Sequence, residues 1–187
     1  MRRRGAPGPG LVGILALQGG FEAHAKIVRS LGASAREVRV PGDLDRLDAL
    51  IIPGGESTVM TLGIQREGLA QPLQELIGSG TPVLGTCAGM IMLDRDHLGA
   101  LDVRTQRNAF GRQLRSFEAD IALTGVAGGP VHAVFIRAPW VQAHGAGVEV
   151  LGVLDGHPVA VRHRNVLAVA FHPELAGESR LHELLLA

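Results

Sequence analysis

The sequence predicts an α/β fold: one domain with a mostly parallel sheet flanked by helices, and antiparallel strands added in its second half. Three observations carry that expectation. In the first half, short apolar runs alternate with segments whose apolar residues recur at helical spacing, and Gly-rich turns join them. From Phe117 onward the texture changes to short alternating segments separated by Gly, Pro and Asn turns, as in hairpins. A chain of 187 residues, 46% of them hydrophobic, is ample for one sizeable core.

Taken in order, residues 1–10 read as a disordered tail. Its arginines, followed by apolar Leu11 to Leu17, mimic a secretory leader. The apolar stretch is short, however, Pro and Gly precede it, and Gln18-Gly19-Gly20 offers no cleavage pattern of small residues. Leu11 to Leu17 is instead a buried strand that opens a domain spanning 11–187. Phe21, Ala25, Val28 and Leu31 share one helical face, and Gly32 stops that helix. A strand near Ala35 to Val40 and a polar helical turn around Asp43 to Leu47 follow. Strand Ala49 to Ile52 ends abruptly at Pro53-Gly54-Gly55. Thr58 to Leu76 reads as helix interrupted at Gly68 and Pro72. Strand Pro82 to Gly85 then leads into a helix from Ala88 to Leu93. In the second half, Glu118 to Leu123, Val131 to Ile136, Val148 to Leu154, His157 to Arg162 and Val166 to Phe171 read as strands, and Gly177 to Leu186 as a closing helix.

Composition excludes several function classes. Eighteen basic residues balance eighteen acidic ones, so no overall field draws the chain to nucleic acid or an anionic membrane. No apolar run approaches the ~20 residues that span a bilayer. A lone cysteine cannot close an internal disulfide, which suits a reducing cytoplasm and leaves the thiol free.

That thiol, Cys87, stands in Pro82-Val-Leu-Gly-Thr-Cys-Ala-Gly-Met90, where a buried strand meets a helix through small residues. Strand, turn and helix in that order make a nucleophile elbow. They put the sulfur at the carboxyl edge of the sheet, where open parallel sheets collect ligands, and at a helix N-terminus that favours thiolate. A buried structural cysteine is the competing reading. A thiolate nucleophile needs a base, and His172 follows the apolar strand Val166 to Phe171, which brings it to the same edge. Glu174, two residues on, can turn toward its ring, giving nucleophile, base and orienter. A histidine merely satisfied at a strand end is the alternative until its partners are found. The other histidines, His24, His97, His132, His144, His157, His163 and His182, lack this context and receive no catalytic role. In Ile51-Ile-Pro-Gly-Gly-Glu-Ser-Thr58, a strand ends on backbone amides that no side chain obstructs, which suits an oxyanion. With Cys87 nearby, the amides of Gly55 and Ala88 are the candidate donors. Neither phosphate-loop pattern, G-x-x-x-x-G-K-[ST] nor G-x-G-x-x-G, is present.

The ordered set Ala16-Leu-Gln-Gly19, Pro53-Gly-Gly-Glu-Ser-Thr58, Gly85-Thr-Cys-Ala-Gly89, Arg107-Asn-Ala-Phe-Gly-Arg-Gln113, Ser116-Phe-Glu-Ala-Asp120, Phe135-Ile-Arg-Ala-Pro139 and Phe171-His-Pro-Glu-Leu175 resembles class I, triad-type glutamine amidotransferases. Within that class it resembles the glutaminase subunits of pyridoxal 5'-phosphate synthases, from residue 11 to about 187. The resemblance implies a flavodoxin-like three-layer fold and hydrolysis of L-glutamine through a Cys87 thioester, with His172 protonating the departing ammonia and Glu174 orienting His172. Gly55, Glu56, Ser57, Arg107, Ile136 and Arg137 match its glutamine-binding positions, Arg being a natural clamp for an α-carboxylate. Gln18 matches a residue near the oxyanion site and the partner interface. The implied partner is a (β/α)8-barrel synthase subunit assembled as a dodecamer, which receives ammonia through a channel; no cofactor or metal is implied. The segment between Cys87 and Arg107 is several residues shorter than the family pattern, and Ala109 replaces a common Ser. Alternatives are the glutaminase of another amidotransferase, a peptidase of similar fold, and a non-catalytic regulatory subunit.

Overall fold

The apolar runs form strands because each can be buried on both faces, as a parallel sheet covered by helices requires. The computed structural model describes residues 10–111 and 116–187. The first half runs β1 (Leu11–Leu15), α1 (Phe21–Ser30), β2 (Ser34–Val38), β3 (Ala49–Ile52), α2 (Ser57–Arg66), α3 (Ala70–Gly78), β4 (Val83–Thr86) and α4 (Ala88–Leu93). The second half adds β5 (Val103–Gln106), β6 (Ser116–Ile121), β7 (Val131–Ile136), β8 (Trp140–His144), β9 (Glu149–Leu154), β10 (His157–His163), β11 (Val166–Val169) and α5 (Arg180–Leu186). Strands β3, β4 and β11 are buried at every position.

Seven strands form one sheet in the order β2-β1-β3-β4-β11-β10-β9, parallel as far as β11 and antiparallel beyond it. Two-stranded antiparallel pairs β5-β8 and β6-β7 lie outside it. The α/β expectation is therefore met. Register levels the carboxyl ends of the central strands: Ile52 lies beside Gly85, and Thr86 beside Val169. The next residues of β3, β4 and β11 consequently emerge on one edge, where ligands of such sheets bind.

The structure differs from the sequence reading in several places. Strand β11 belongs to the parallel core rather than to the antiparallel additions, because it pairs in parallel with β4. Thr58 to Leu76 is two helices. Their break falls at Gly68, whose φ of +67° is costly for other residues. Pro72 instead sits in the first turn of α3, where its missing N–H has no helical partner to lose. The turn expected at Asp43 to Leu47 is a 3-10 turn at Pro41–Leu44, and the closing helix begins at Arg180, after a 3-10 turn at Pro173–Leu175. Strands β5 and β8 were not anticipated: Val103-Arg-Thr-Gln106 and Trp140-Val-Gln-Ala-His144 each bury only part of their length. The expected N-terminal tail, apart from Gly10, and Arg112 and Gln113 of the Arg107 motif lie outside the described residues.

The chain has five Phe and one Trp, and five of these six rings cluster behind the sheet edge. Phe135 stacks on Phe117 at 4.7 Å and meets Phe110 at 5.5 Å and Phe171 at 5.6 Å, while Phe110 meets Trp140 at 5.2 Å. This cluster holds the end of β7, with Ile136 and Arg137, against the segment that carries His172. The His172 N–H adds a 2.8 Å hydrogen bond to the Val134 carbonyl. Phe135 is fully buried, so Phe135→Ala is expected to cost about 3–5 kcal/mol. Urea unfolding read by circular dichroism checks this through a lowered midpoint with an unchanged slope.

Candidate active site

Cys87 follows β4 in a conformation that L-residues rarely adopt, φ +49° and ψ −110°, and the next residue starts α4. Its N–H donates to the Val169 carbonyl at 2.8 Å, which pins the turn to β11. The elbow closes only because its neighbours are small. A Cβ on Gly89 would collide with the Ile52 carbonyl, and one on Gly54 would collide with the His172 ring and lie 3.2 Å from the Cys87 Cβ. Those contacts explain why the strand ends supply Pro53-Gly-Gly and Cys87-Ala-Gly. They also show that Gly54 is the floor on which Cys87 and His172 meet.

The edge encloses a cavity of about 260 Å³, small beside the roughly 300–1,000 Å³ of drug-sized pockets and suited to an amino-acid-sized ligand. Gln18, Gly55, Glu56 and Ser57 line it from the loops after β1 and β3, and Cys87 and Ala88 from the elbow. Arg107, Ile136, Arg137 and His172 complete the expected set. Glu174 does not line the cavity; it lies behind His172, 8% exposed. Ile91 and Asn108 also line the cavity and were not singled out from the sequence. Asn108 and Arg137, like Cys87, have positive φ (+46° and +45°), so three of the six described non-glycine residues with that strain surround one cavity.

Within the site, the Cys87 thiol, 6% exposed as a residue, points to the Ile136 carbonyl at 3.7 Å. His172 Nδ1 lies 2.7 Å from Glu174 Oε1. Burial alone would depress the His172 pKa, but hydrogen bonds to Cys87 and Glu174, and their charges, push it up to about 10. Burial likewise opposes ionisation of Glu174, yet the His172 hydrogen bond and the nearby His24 and His172 rings hold its pKa below the usual carboxylate range. The pair is thus an imidazolium facing a carboxylate at neutral pH. Gln18 Oε1 accepts the Glu56 N–H at 2.6 Å and so fixes the turn bearing Gly55. Glu56 caps α2, accepting the N–H groups of Thr58 and Val59. Arg107 donates from Nη2 to Glu56 Oε1 and Thr58 Oγ1, both at 3.3 Å, while keeping about half its side chain exposed. The segment after α4 folds around buried Asp94, which accepts the Thr105 hydroxyl at 2.6 Å and the Asp96 N–H at 3.0 Å.

Two histidines without a role in the sequence reading contact the site from behind. His24 Nε2 lies 3.3 Å from Glu174 Oε2, and His24 Nδ1 lies 2.8 Å from His182 Nε2. A signal existed: His24 falls on the helical face marked by Phe21 and Val28, and a polar residue on a buried face must find a partner. Which partner could not be read from residues 150 positions apart (24 and 174). Among the described residues, no group of three or more His, Cys, Asp or Glu side chains is placed to hold a metal ion, and no helix is long and apolar enough to cross a membrane.

A mostly parallel α/β sheet with a cysteine on a strand-to-helix elbow, and a His-carboxylate pair on the adjacent strand end, defines a protein of the glutamine amidotransferase class. The chain belongs to the SNO glutamine amidotransferase family, matched over residues 14–187. It is 50% identical over 182 residues to the pyridoxal 5'-phosphate synthase subunit PdxT of Parafrankia sp. (strain EAN1pec), covering 92% of this chain and 90% of that one. To the protein of the same name from Mycobacteroides abscessus it is 51% identical over 183 residues, covering 93% and 94%. A crystal structure of a glutamine amidotransferase superposes with a TM-score of 0.89 at 44% identity, covering 95% of this chain and 97% of that one.

Burial pushes the His24 pKa down to about 4, reinforced by His182 and His172 and opposed by Glu174. The unfolded chain, with His24 near 6.5, then binds more protons than the folded one between pH 6.5 and about 4. Stability is expected to fall as pH is lowered through that window, and the depressed pKa of Glu174 adds to the loss. His172 has the opposite sign: its contribution is complete below about pH 6.5 and is lost as pH rises toward 10. Thermal midpoints measured across both windows check the two limbs.

Proposed function

We propose that this chain is the glutaminase subunit of a pyridoxal 5'-phosphate synthase, hydrolysing L-glutamine to glutamate and ammonia. The observation that carries the reading is the convergence of Cys87 and His172 on one small cavity at the ends of β4 and β11, with Glu174 bound behind His172. The relatives' shared name supplies the pathway.

In the proposed mechanism the Cys87 thiolate attacks the carboxamide carbon. A C–S bond forms and the carbonyl pair moves onto oxygen, where the amides of Gly55 and Ala88 receive it. Ala88 is the first residue of α4, so its N–H has no acceptor within the helix. Collapse breaks the C–N bond while imidazolium His172 gives its proton to the leaving nitrogen, which departs as ammonia. Water, deprotonated by the now neutral His172, then cleaves the thioester and frees glutamate and the thiolate. Glu174 holds the His172 Nδ1–H throughout and stabilises the imidazolium. Arg107 takes the substrate α-carboxylate, exchanging its long contacts with Glu56 and Thr58 for a paired one. Glu56, Ser57, Ile136 and Arg137 complete the glutamine site.

The ammonia passes through a protected channel to the synthase subunit, a (β/α)8 barrel in a dodecameric core, and the reaction takes place in the cytoplasm. Gln18, at the turn that fixes Gly55, links the oxyanion donors to the partner interface. The isolated subunit is therefore expected to be nearly silent until the synthase sets that turn.

Two measurements test this reading. Glutamate release by the wild-type chain should appear or rise with the synthase subunit, and Cys87→Ala should lower it roughly a thousandfold or more. An inert wild-type complex would return the non-catalytic alternative. Arg107→Ala should raise KM for glutamine about 10–100-fold with a smaller change in kcat, as for loss of a charged hydrogen bond worth about 1.5–3 kcal/mol.

A further inference from the structure

Behind the proposed triad, a buried polar chain continues into the core. Glu174 Oε1 is occupied by His172, but Oε2 is buried without a well-aligned donor, and the nitrogen nearest to it is His24 Nε2 at 3.3 Å. The contact is long and off-axis because the same nitrogen lies 3.1 Å from the Thr86 hydroxyl. On its other side, His24 Nδ1 lies 2.8 Å from His182 Nε2. His24 and His182 are both fully buried.

The carboxylate sets the proton on His24. A carboxylate only accepts, so the His24 nitrogen facing Glu174 carries the hydrogen. Burial keeps His24 neutral, so its Nδ1 is a bare acceptor, and His182 must donate from Nε2. His182 Nδ1 makes no hydrogen bond of good geometry, although the Glu178 backbone lies close to the ring. The chain runs from His182 through His24 to Glu174, and the atom at each end, His182 Nδ1 and Glu174 Oε2, lacks a well-aligned partner. The titratable groups around it are His172, Glu174 and Glu178. Such a chain does not arise for stability, since apolar residues of similar shape are commonly as stable or more so. Its one exit toward the cavity is the second oxygen of the carboxylate that orients His172.

We propose that His24 is a positioning residue for the reaction: its Nε2–H, held in that tautomer by His182, anchors Glu174 Oε2 and so fixes the carboxylate that orients His172. The proposal rests on the glutaminase reading. Gln at position 24 can return an N–H donor to the Nε2 position, whereas Asn places its amide near Nδ1, facing His182 instead.

The test compares wild type, His24→Gln, His24→Asn and the apolar double variant His24→Leu/His182→Leu, each in complex with the synthase subunit. Glutamate release is followed alongside thermal midpoints and the low-field Nδ1–H proton resonance of His172, assigned by its loss in His172→Ala. The double variant and His24→Asn are expected to lose about 10–100-fold in kcat with KM within about twofold, by analogy with the loss when the hydrogen-bond partner of a metal-ligating histidine is removed. Their His172 proton signal should broaden or vanish even where the midpoint is kept. His24→Gln should restore most of both. A double variant with wild-type kcat and an unchanged proton signal overturns the proposal, as does a loss that Gln and Asn share and that follows the midpoints. If the wild-type complex releases no glutamate, the glutaminase reading falls. The proton signal still decides whether His24 holds Glu174.

Discussion

The 2.8 Å hydrogen bond from the Cys87 N–H to the Val169 carbonyl is the contact on which the rest of the site depends. It joins the strained end of β4 to the end of β11, and His172 stands three residues beyond Val169. A non-glycine residue at φ +49° costs of order 1–3 kcal/mol, which persists only where surrounding contacts leave no relaxed alternative. Here the contacts are close approaches that only glycine allows, together with strand pairing. Gly89 lies against the Ile52 carbonyl, Gly54 lies under His172, and β3, β4 and β11 are paired in level register. Relaxing Cys87 would break the elbow's tie to β11 and move the thiol away from the imidazole.

Charge in the site is balanced within a few ångströms. An imidazolium and a carboxylate, both largely removed from water, would each be costly alone. Paired at 2.7 Å, they hold one another in the charged form. The histidines behind them stay neutral, so the buried polar chain meets that pair without adding charge. Toward solvent the logic changes: Glu56 and Arg107 are half exposed and only loosely paired, which leaves both available to a ligand.

The aromatic cluster supplies the rigidity that backbone pairing cannot. Strand β7 is outside the main sheet, yet the Ile136 carbonyl and Arg137 must meet Cys87 across the cavity. Phe135 stacked on Phe117 and packed against Phe110 and Phe171 sets that distance. In a chain with so few aromatic rings, their concentration here marks the place where side-chain packing rather than sheet pairing fixes geometry.

Much of the site was legible because its signals are local. The apolar strand before Cys87, the small residues after it, Pro53-Gly54-Gly55 and Phe171-His-Pro-Glu174 each combine a strand end with a turn. Local sterics settle such a combination within a few residues. The parallel pairing of β11, strands β5 and β8, the pocket roles of Ile91 and Asn108, and the contact of His24 and His182 with Glu174 were not legible. Each depends on segments remote in sequence meeting in space. By itself the sequence determined the α/β class, the elbow and the chemical identity of the Cys, His and Glu groups, since propensity, periodicity and turn chemistry act over a few residues. Only the tertiary structure decided which buried donor faces the second oxygen of Glu174, because that contact is made by the packing of α1, α5 and the segment after β11.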